Sequence, residues 1–325
     1  MTTPDGRRSS TIDVVIPSYG RADSLKRCLD ALARQSRMPE TIFIVVRPDD
    51  TATVEAVAAS AESGLPVETV PVDKPGLVYA LQTGLSAARS DVIAFTDDDA
   101  APHADWVRNI LRHFEDEAVG GVGGRDCVFE NGSLLDGRAD VVGRITAYGK
   151  LIGGHHLGSG DARDADILKG VNMSFRRDAI VPVGFDMRLR GRGAQVGNEV
   201  GLCLRMRRNG WRLIYDPAVL VDHFPATRVE GDDRVRFEAN DLANAAHNEA
   251  LGILEHFSFP RRVLFLVWAT LIGTRRFYGI AQALRFVPSE GRLAVSKAVA
   301  SIRGRWSALG TTKLDSASTG TVRPT

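Results

Sequence analysis

Cysteine is scarce in this sequence, with three among 325 residues, at Cys28, Cys127 and Cys203. Their wide spacing excludes a disulfide-rich scaffold, matches no cysteine-based metal or redox motif and favours a reducing compartment. The formal net charge is +1, so the overall charge gives no indication of a nucleic-acid partner. The segment Met1–Ser10 lacks the apolar core of a signal peptide, and we therefore expect a cytoplasmic protein.

The apolar segment of the C-terminal part, Val263–Gly273, has only 11 residues, whereas a membrane-spanning helix needs about 20. From His256 to the end, 11 Lys and Arg stand against 2 acids, a net +9 that leaves −8 for the preceding part of the +1 total. We expect residues 241–308 to form a helical, basic appendage that lies on an anionic inner-leaflet membrane surface. The alternatives are a buried helix that caps the rest of the chain and a homodimer interface.

The first hundred residues alternate between strand-like and helix-like segments. Apolar runs at Thr11–Ile16, Thr41–Val46 and Val67–Val70 are each followed by helical periodicity, and a fourth run spans Val92–Thr96. The first run breaks at Pro17. This alternation predicts an α/β fold with a mostly parallel sheet flanked by helices, in which ligands bind at the carboxyl ends of the strands.

Three consecutive aspartates, Asp97, Asp98 and Asp99, directly follow the fourth run. Like charges at a buried strand end repel one another, so a bound divalent cation is the natural compensation, and oxygen ligands favour Mg²⁺ or Mn²⁺. The alternative is a solvated acidic turn. Polar pairs at 17–18 and 49–50 fall at the ends of two other strands, and three polar sites on one rim favour a ligand site.

Further motifs follow in an ordered series: Val14–Tyr19, Lys74–Gly76, Ala80–Gly84, Asp97–Asp99, Lys169–Arg176, Gly197–Arg205, Gly210–Pro217 and Val221–His223. Together, from about Thr11 to about Phe224, they resemble the family 2 glycosyltransferases, nucleotide-sugar-dependent enzymes of the GT-A fold that are mostly inverting. The resemblance implies a GT-A (Rossmann-like) catalytic domain over residues 11–240. Its nucleotide-sugar-binding half would span 11–100, and its acceptor-binding half 101–240.

The resemblance also implies a metal site. Asp99 is expected to bind Mn²⁺ or Mg²⁺ directly, Asp97 to face the ribose or base of the nucleoside, and Asp98 to support either role. His223 follows an apolar run at a position where family members often use a histidine as a further metal ligand. The alternative for His223 is an ordinary hydrogen-bonding residue at the surface.

The nucleoside would rest against the ends of the first two strands, with Arg and Lys side chains near its diphosphate or base. The expected donor contacts are Pro17, Ser18, Tyr19, Arg21, Asp49, Asp50 and Lys74. Basic side chains are often merely exposed, which is the alternative for Arg21 and Lys74. The chain has Leu81–Gln82 where the family commonly has Arg-Asn, so the usual donor contact there is in doubt.

Inverting transfer needs a general base, and the resemblance assigns that role to Glu199. The family's usual motif has further acids beside the base, but here the aligned segment reads Asn-Glu-Val-Gly over 198–201. The alternative is a helix N-terminal carboxylate favoured by the helix dipole. Gly170, Asn172 and Trp211 are expected on the acceptor side of the site.

The predicted function is transfer of a sugar from a nucleotide sugar to an acceptor hydroxyl, on a glycan or a polyprenyl-linked intermediate. Two rivals remain: a catalytically inactive nucleotide-sugar-binding, membrane-associated protein, and a sugar-phosphate nucleotidyltransferase. The latter would need a glycine-rich basic loop after its first strand, which Pro17–Arg21 is not. We also expect disorder at residues 1–10 and 309–325.

Overall fold

The computed structural model describes residues 10–62, 64–191, 193–225 and 237–318, without the side chains of 313–318. The disorder predicted at 1–10 concerns residues outside this part, apart from Ser10. The helices are α1 (Ala22–Leu32), α2 (Thr51–Glu62), α3 (Leu77–Ala87), α4 (Trp106–Leu111), α5 (Arg177–Ile180), α6 (Asn198–Arg208), α7 (Ala239–His256), α8 (Phe259–Leu271), α9 (Ile280–Glu290) and α10 (Arg292–Ser318). The strands are β1 (Ile12–Ser18), β2 (Thr41–Val46), β3 (Val67–Pro71), β4 (Val92–Thr96), β5 (Ala100–Pro102), β6 (Val119–Glu130), β7 (Ser133–Leu134), β8 (Arg144–Ile145), β9 (Leu151–Ile152), β10 (Arg163–Ala165), β11 (Asn172–Arg176) and β12 (Arg212–His223).

Ten of these strands form one sheet, in the order β10-β12-β6-β11-β4-β1-β2-β3, with β5 on β12 and β7 on β6. The strands β4, β1, β2 and β3 are mutually parallel, and β6 is parallel to β12. The strand β11 runs antiparallel between β4 and β6. The predicted mostly parallel sheet flanked by helices, followed by C-terminal helices, is confirmed.

Alternate residues of the central strands lie in two separate cores. Val15, Val45 and Phe95 pack on the face covered by α3, whereas Ile16 and Ile44 pack on the face covered by α1 and α4. Since successive side chains of a strand point to opposite faces, a strand covered on both faces is apolar throughout. This explains the continuous apolar runs of the sequence.

The first strand continues through Pro17 to Ser18, although the sequence predicted a break at Pro17. Its pairing with β4 ends at Val15, opposite Phe95, whereas its pairing with β2 continues to Ser18. Proline lacks an N–H donor and is tolerated where one side of the strand is unpaired. The longer strand carries Ser18 to the rim of the sheet.

The C-terminal helices pack onto the preceding part of the chain. Helix α7 crosses α6 where two glycines meet, and a Cβ on Gly252 would lie only 2.7 Å from the backbone nitrogen of Gly201. Leu251 and Phe265 are buried in the same core as Phe95. The predicted domain boundary at 240/241 falls inside α7, because that helix already begins at Ala239.

Helix α10 extends to Ser318, so the prediction of a disordered tail from residue 309 is wrong for 309–318. The helix is held against α7, where Gly304 contacts Ala243 and Ala308 is fully buried. The hydroxyl of Thr312 donates to the carbonyl of Ala308 at 2.8 Å. Residues 319–325 lie outside the described part. Within that part, every helix is either too short or too polar to cross a bilayer.

Candidate active site

A cavity of about 330 Å³ opens at the carboxyl ends of β1 and β4. The lining residues form two groups, named after the contacts expected from the sequence. The donor wall comprises the segment after β1, residues 74–81, Asp97, Asp99 and His223, and the acceptor wall comprises residues 169–173 and the start of α6. Ten of the fifteen site residues predicted from the sequence line it: Pro17, Ser18, Tyr19, Arg21, Lys74, Asp97, Asp99, Gly170, Glu199 and His223.

The turn after β4 separates the three aspartates. Asp97 and Asp99 face the cavity, whereas Asp98 is fully buried beneath it. The Oδ2 of Asp98 accepts a hydrogen bond from the Ser18 hydroxyl at 2.7 Å, and its Oδ1 lies 2.7 Å from the Arg21 guanidinium. Burial raises the pKa of Asp98 to about 7, against the opposing charge of Arg21. Asp98 therefore holds β1 and Arg21 in place instead of contacting the cavity.

The pairing of β5 with β12 brings His223 to the acidic turn. His223 lies opposite Ala100 in this antiparallel ladder, directly beside Asp99. Its Nε2 is 3.5 Å from Oδ1 of Asp99, and its Nδ1 is 3.7 Å from Oδ2 of Asp126. Burial alone would lower the pKa of His223, but the two carboxylates outweigh it and raise the pKa to about 9. The surroundings of this imidazole strongly favour positive charge.

Asp97, Asp99 and His223 form a group that fits a divalent cation. One ligand atom from each residue lies within 4.8 Å of the other two. Carboxylate oxygens suit Mn²⁺ and Mg²⁺, and the excess of acidic groups at this buried strand end supplies the electrostatic attraction. The structure thus groups Asp97, expected from the sequence to face the nucleoside, with the two expected metal ligands.

Asp126 and Lys169 complete the charged cluster, and the sequence analysis named neither as a site residue. Lys169 lines the cavity, and its ammonium forms an ion pair with the fully buried Asp126. Burial opposes the ionisation of Asp126, yet His223 and Lys169 lower its pKa below the ordinary value. The one signal in the sequence was that Asp126 lies in the polar end of a glycine-rich strand. Asp126 reaches the site because β6 pairs with β12 at the level of His223.

On the donor wall, aromatic and basic side chains stack in pairs. The guanidinium of Arg47 lies 4.3 Å from the ring centre of Tyr19, and the ammonium of Lys74 lies 5.3 Å from that of Tyr79. Arg47 and Lys74 both line the cavity. Such cation–π pairs present cationic groups from a fixed position, which is suited to an anionic diphosphate.

Asp49 and Asp50 do not line the cavity. Asp50 is buried and caps α2, accepting hydrogen bonds from the backbone N–H and hydroxyl of Thr53, and it also accepts the backbone N–H of Gly20. Asp49 is exposed and paired with Arg47 at 2.7 Å. The placement of Asp49 and Asp50 therefore does not support the predicted contact of either carboxylate with the nucleoside. Asp50 holds the loop after β1, and Asp49 orients Arg47.

Glu199 lies in the first turn of α6 and faces the cavity. This position fits both interpretations from the sequence. Glu199 faces the cavity, as a general base would, and it is also a carboxylate at a helix N-terminus, where the helix dipole favours it. Burial raises the pKa of Glu199 above the ordinary value, partly offset by its own backbone N–H and by Arg276 and Lys169. The site therefore contains a carboxylate with raised proton affinity.

The loop before α6 is attached to the donor wall. The side-chain oxygen of Gln195 accepts the backbone N–H of Val78 at 2.9 Å, and its amide donates to the carbonyl of Leu189 at 3.0 Å. A Cβ on Gly76 would lie 2.7 Å from the same side-chain oxygen, and Gly76 has φ = 122°. These contacts fix the start of α6, and hence Glu199, relative to α3.

The C-terminal helices add charges behind Glu199 that lie outside the sequence motifs. Arg276, between α8 and α9, lies within electrostatic range of Glu199 and of Glu249 on α7 and favours the ionised form of both. Arg305 is only 1% exposed and lies 3.8 Å from Glu249. It also donates to the carbonyl of Ala269 at 3.1 Å. The packing of α7 to α10 thus supports the acceptor wall electrostatically.

Two residues expected on the acceptor side have other positions. The Asn172 side chain is 1% exposed and accepts the Trp106 indole N–H at 2.9 Å while donating to the carbonyl of Val219 at 2.8 Å. Trp211 lies against Gly120, at the opposite end of β6 from the cavity. Their side chains therefore contribute to packing, and of the three expected acceptor-side residues Gly170 alone lines the cavity.

The sequence matches known families and proteins. The family model described as "Glycosyltransferase like family 2" matches residues 10–237. The pre-mycofactocin glycosyltransferase of Mycobacterium tuberculosis is 31% identical over 236 residues, which cover 70% of this chain and 45% of the relative. This chain thus spans less than half the length of that relative. The glucosyl-dolichyl phosphate glucuronosyltransferase of Haloferax volcanii is 24% identical over 233 residues, covering 65% and 68% of the two chains.

Two solved structures share the fold. The mannosyltransferase PcManGT from Pyrobaculum calidifontis, in complex with GDP-Man and Mn²⁺, superposes with a TM-score of 0.52 and 19% identity, covering 99% of this chain and 79% of its own. GalNAc-T7 with UDP, GalNAc and Mn²⁺ superposes with a TM-score of 0.60 and 14% identity, covering 98% and 59%. At these identities the similarity establishes the fold.

Proposed function

Because the chain belongs to glycosyltransferase family 2, whose model matches residues 10–237, we propose that it transfers a sugar from a nucleotide sugar to an acceptor hydroxyl with inversion. One observation carries the proposal. The cavity is lined both by the Asp97, Asp99 and His223 group and by the half-buried carboxylate of Glu199. An inverting transfer requires both at once, a stabilised leaving group and a base for the acceptor.

The donor wall would bind the nucleotide sugar. A divalent cation, Mn²⁺ or Mg²⁺, held by Asp97, Asp99 and His223 would neutralise charge on the leaving diphosphate. Lys74 and Arg47 face the same space and would bind phosphate oxygens or the nucleoside. Arg21 is held by Asp98 at 2.7 Å and Asp99 at 3.3 Å, so it keeps the acidic turn in position.

Glu199 would act as the general base. As the acceptor oxygen attacks the anomeric carbon, the bond from that carbon to the diphosphate oxygen breaks on the opposite face, and the hydroxyl proton passes to the Glu199 carboxylate. The new bond forms on the face opposite the leaving group, so the anomeric configuration inverts. A base with a raised pKa suits this role, because proton transfer is most efficient when the pKa of the base approaches the operating pH.

We further propose that the acceptor is a glycan hydroxyl, either free or on a polyprenyl-linked intermediate. The name of the Haloferax relative specifies a glucosyl-dolichyl phosphate, which is an acceptor of this class. The protein would then work in the cytoplasm at the inner face of the membrane. That the protein forms a homodimer remains a prediction from the sequence.

Release of nucleoside diphosphate tests the enzyme. UDP-, GDP- and dTDP-sugars are incubated with the full chain and Mn²⁺, Mg²⁺ or EDTA, with and without membrane extract as a source of acceptor. We expect metal-dependent release from one donor class, abolished in Asp99→Asn and strongly reduced in Glu199→Gln.

Two other results would replace this proposal. Nucleotide binding without turnover, even with extract, would favour the inactive binding protein, for which the absence of acids beside Glu199 is the supporting observation. Formation of a nucleotide sugar and pyrophosphate from a nucleoside triphosphate and a sugar phosphate would favour the nucleotidyltransferase. Anomeric configuration of the product, read by NMR, tests inversion.

A further inference from the structure

Large apolar side chains are concentrated on the outside of the C-terminal helices. Of the twenty exposed large hydrophobic side chains in the described residues, thirteen fall between Phe259 and Trp306. On α8, Phe259, Val263, Val267 and Leu271 are exposed and follow one another at intervals of four residues. Residues spaced in this way share one face of a helix, so α8 presents an apolar face to the outside.

Helix α9 also exposes an apolar face. Ile280, Leu284 and Val287 occur at i, i+4 and i+7 and are all exposed, with Leu284 at 70% and Phe259 on α8 at 76%. Helix α9 contacts both α8 and α10. We call the exposed apolar side chains of α8 and α9 the outer face. A concentration of exposed apolar side chains on neighbouring helices is typical of an interaction site.

The charges around the outer face are almost all positive. Between residues 257 and 312 the sequence has nine Lys and Arg, of which Arg305 is buried, and one acid, Glu290. That acid is paired with Lys297 at 2.9 Å. Arg275 and Arg285 are exposed beside the apolar side chains of the outer face. The surface therefore combines an apolar centre with a cationic border.

The loop between α8 and α9 lies near the acceptor wall. Arg276, in the loop that joins α8 to α9, lies within electrostatic range of Glu199. An acceptor anchored in a bilayer at the outer face would have its polar head near this loop. The position of the outer face thus matches a site that receives a lipid-borne sugar.

We propose that the outer face inserts into the interfacial layer of an anionic lipid bilayer, with Arg275 and Arg285 at the headgroups. The inference rests on the proposed function for its acceptor and specifies which surface meets the membrane. Anionic headgroups complement the cationic border, and the apolar side chains replace water by acyl chains. A symmetric dimer through the same face would instead place like charges opposite one another.

Binding to lipid vesicles tests this proposal. The full chain is mixed with vesicles of phosphatidylcholine alone or with roughly one third phosphatidylglycerol, and the bound fraction is measured by sedimentation. The test variants are Phe259→Ser/Leu284→Ser and Arg275→Glu/Arg285→Glu. The matched controls change exposed residues elsewhere, in Met38→Ser/Val181→Ser and Arg34→Glu/Arg208→Glu.

We expect the wild type and both controls to bind the phosphatidylglycerol vesicles and to bind pure phosphatidylcholine weakly. Each test variant should lose about tenfold or more in the partition coefficient. Each apolar side chain contributes roughly this factor when buried, and the two charge reversals replace attraction to anionic headgroups by repulsion. Metal-dependent turnover of a soluble donor without vesicles should be unchanged. If no protein, including the wild type, turned over the donor but vesicle binding were as expected, the proposed function would be rejected. The proposal that the outer face binds membranes would still stand.

Equal binding by test and control variants, or no binding by the wild type, would overturn the proposal. Light scattering in the absence of lipid gives a further outcome. A dimeric wild type that becomes monomeric in Phe259→Ser/Leu284→Ser would show that a second copy occupies the outer face, and that result also overturns it.

Discussion

The two walls of the cavity are built differently. On the donor wall, Asp97 and Asp99 are two residues apart in the sequence, and the strand register brings His223 to them. On the acceptor wall, Glu199 is a single carboxylate whose electrostatic neighbours, Arg276 and Lys169, come from distant parts of the chain. The donor wall is thus determined locally by the sheet, whereas the acceptor wall depends on how the C-terminal helices pack.

This difference determines how freely the residues of each wall can be replaced. Metal binding requires several ligands in a fixed arrangement, so the sheet edge leaves little freedom at Asp97, Asp99 and His223. A general base needs one carboxylate within reach of the acceptor and a suitable pKa. In the proposed role of Glu199 as base, no further acid is needed beside it, because burial already raises the pKa of that residue.

The largest effect is expected on the donor wall, for Asp99→Asn. The substitution removes a proposed metal ligand and the negative charge that faces His223 at 3.5 Å. Loss of roughly 4 kcal/mol of leaving-group stabilisation corresponds to about a thousandfold decrease in metal-dependent donor turnover. Folding should be retained, since the change relieves repulsion among the neighbouring carboxylates; circular dichroism and thermal unfolding check this.

The matched control for Asp99→Asn is Asp49→Asn. Asp49 is exposed and lies outside the cavity, paired with Arg47. We expect donor turnover within about twofold of wild type, as for surface ion pairs of little energetic weight. A large decrease in Asp49→Asn would show that Asp49 acts on the donor, either by the direct nucleoside contact predicted from the sequence or by orienting Arg47.

The next largest effect is expected on the acceptor wall, for Glu199→Gln. General bases contribute about 100- to 10,000-fold, so we expect a decrease of that order in the kcat for sugar transfer. The KM for the donor should stay near the wild-type value, because the metal group lies on the other wall. Steady-state kinetics with a saturating acceptor separates the two constants. Equal decreases in donor affinity and kcat would mean that Glu199 binds the donor, which would remove the distinction between the walls.

Sequence reasoning could predict the donor wall because its information is local. The apolar runs determine β1, β2 and β4, and the polar groups after parallel strands must share one edge of the sheet. The same reasoning misread Asp50, whose spacing to Thr53 is that of a helix cap. It also expected Trp211 at the site, although β12 starts next to that residue and carries it to the far end of the sheet.

The parts that sequence could not predict depend on tertiary contacts. Asp126 becomes relevant only because β6 pairs with β12, and that pairing joins segments nearly a hundred residues apart. Glu249 and Arg305 belong to helices with no motif, and their proximity follows from the packing of α10 on α7. The orientation of the outer face likewise required knowledge of which sides of α8 and α9 are covered.

A smaller effect tests whether the α6–α7 contact positions Glu199. In Gly252→Ala, the new Cβ would lie 2.7 Å from the backbone of Gly201, so the helices must separate. We expect a loss of about 1–3 kcal/mol in the free energy of unfolding, together with reduced kcat and unchanged nucleotide affinity. The control is Gly310→Ala on α10, where a Cβ meets open space. In this control the free energy of unfolding should increase by about 0.5–1 kcal/mol, as measured by urea denaturation.

The smallest expected effect concerns the charge of Arg276 behind the acceptor wall. A base must be ionised, so the kcat should fall as the pH falls through the pKa of Glu199, which burial has raised. Arg276 stabilises the carboxylate, and Arg276→Gln should therefore raise this pKa further and shift the acidic limb of the pH profile to higher pH.

The neighbouring change Arg275→Gln leaves the surroundings of Glu199 as they are, and its profile should match that of the wild type. The comparison uses detergent-solubilised acceptor without vesicles, so that lipid binding by either arginine does not contribute. Coincident profiles in all three proteins would show that the C-terminal helices leave the base unaffected, and the acceptor wall would then be as self-contained as the donor wall.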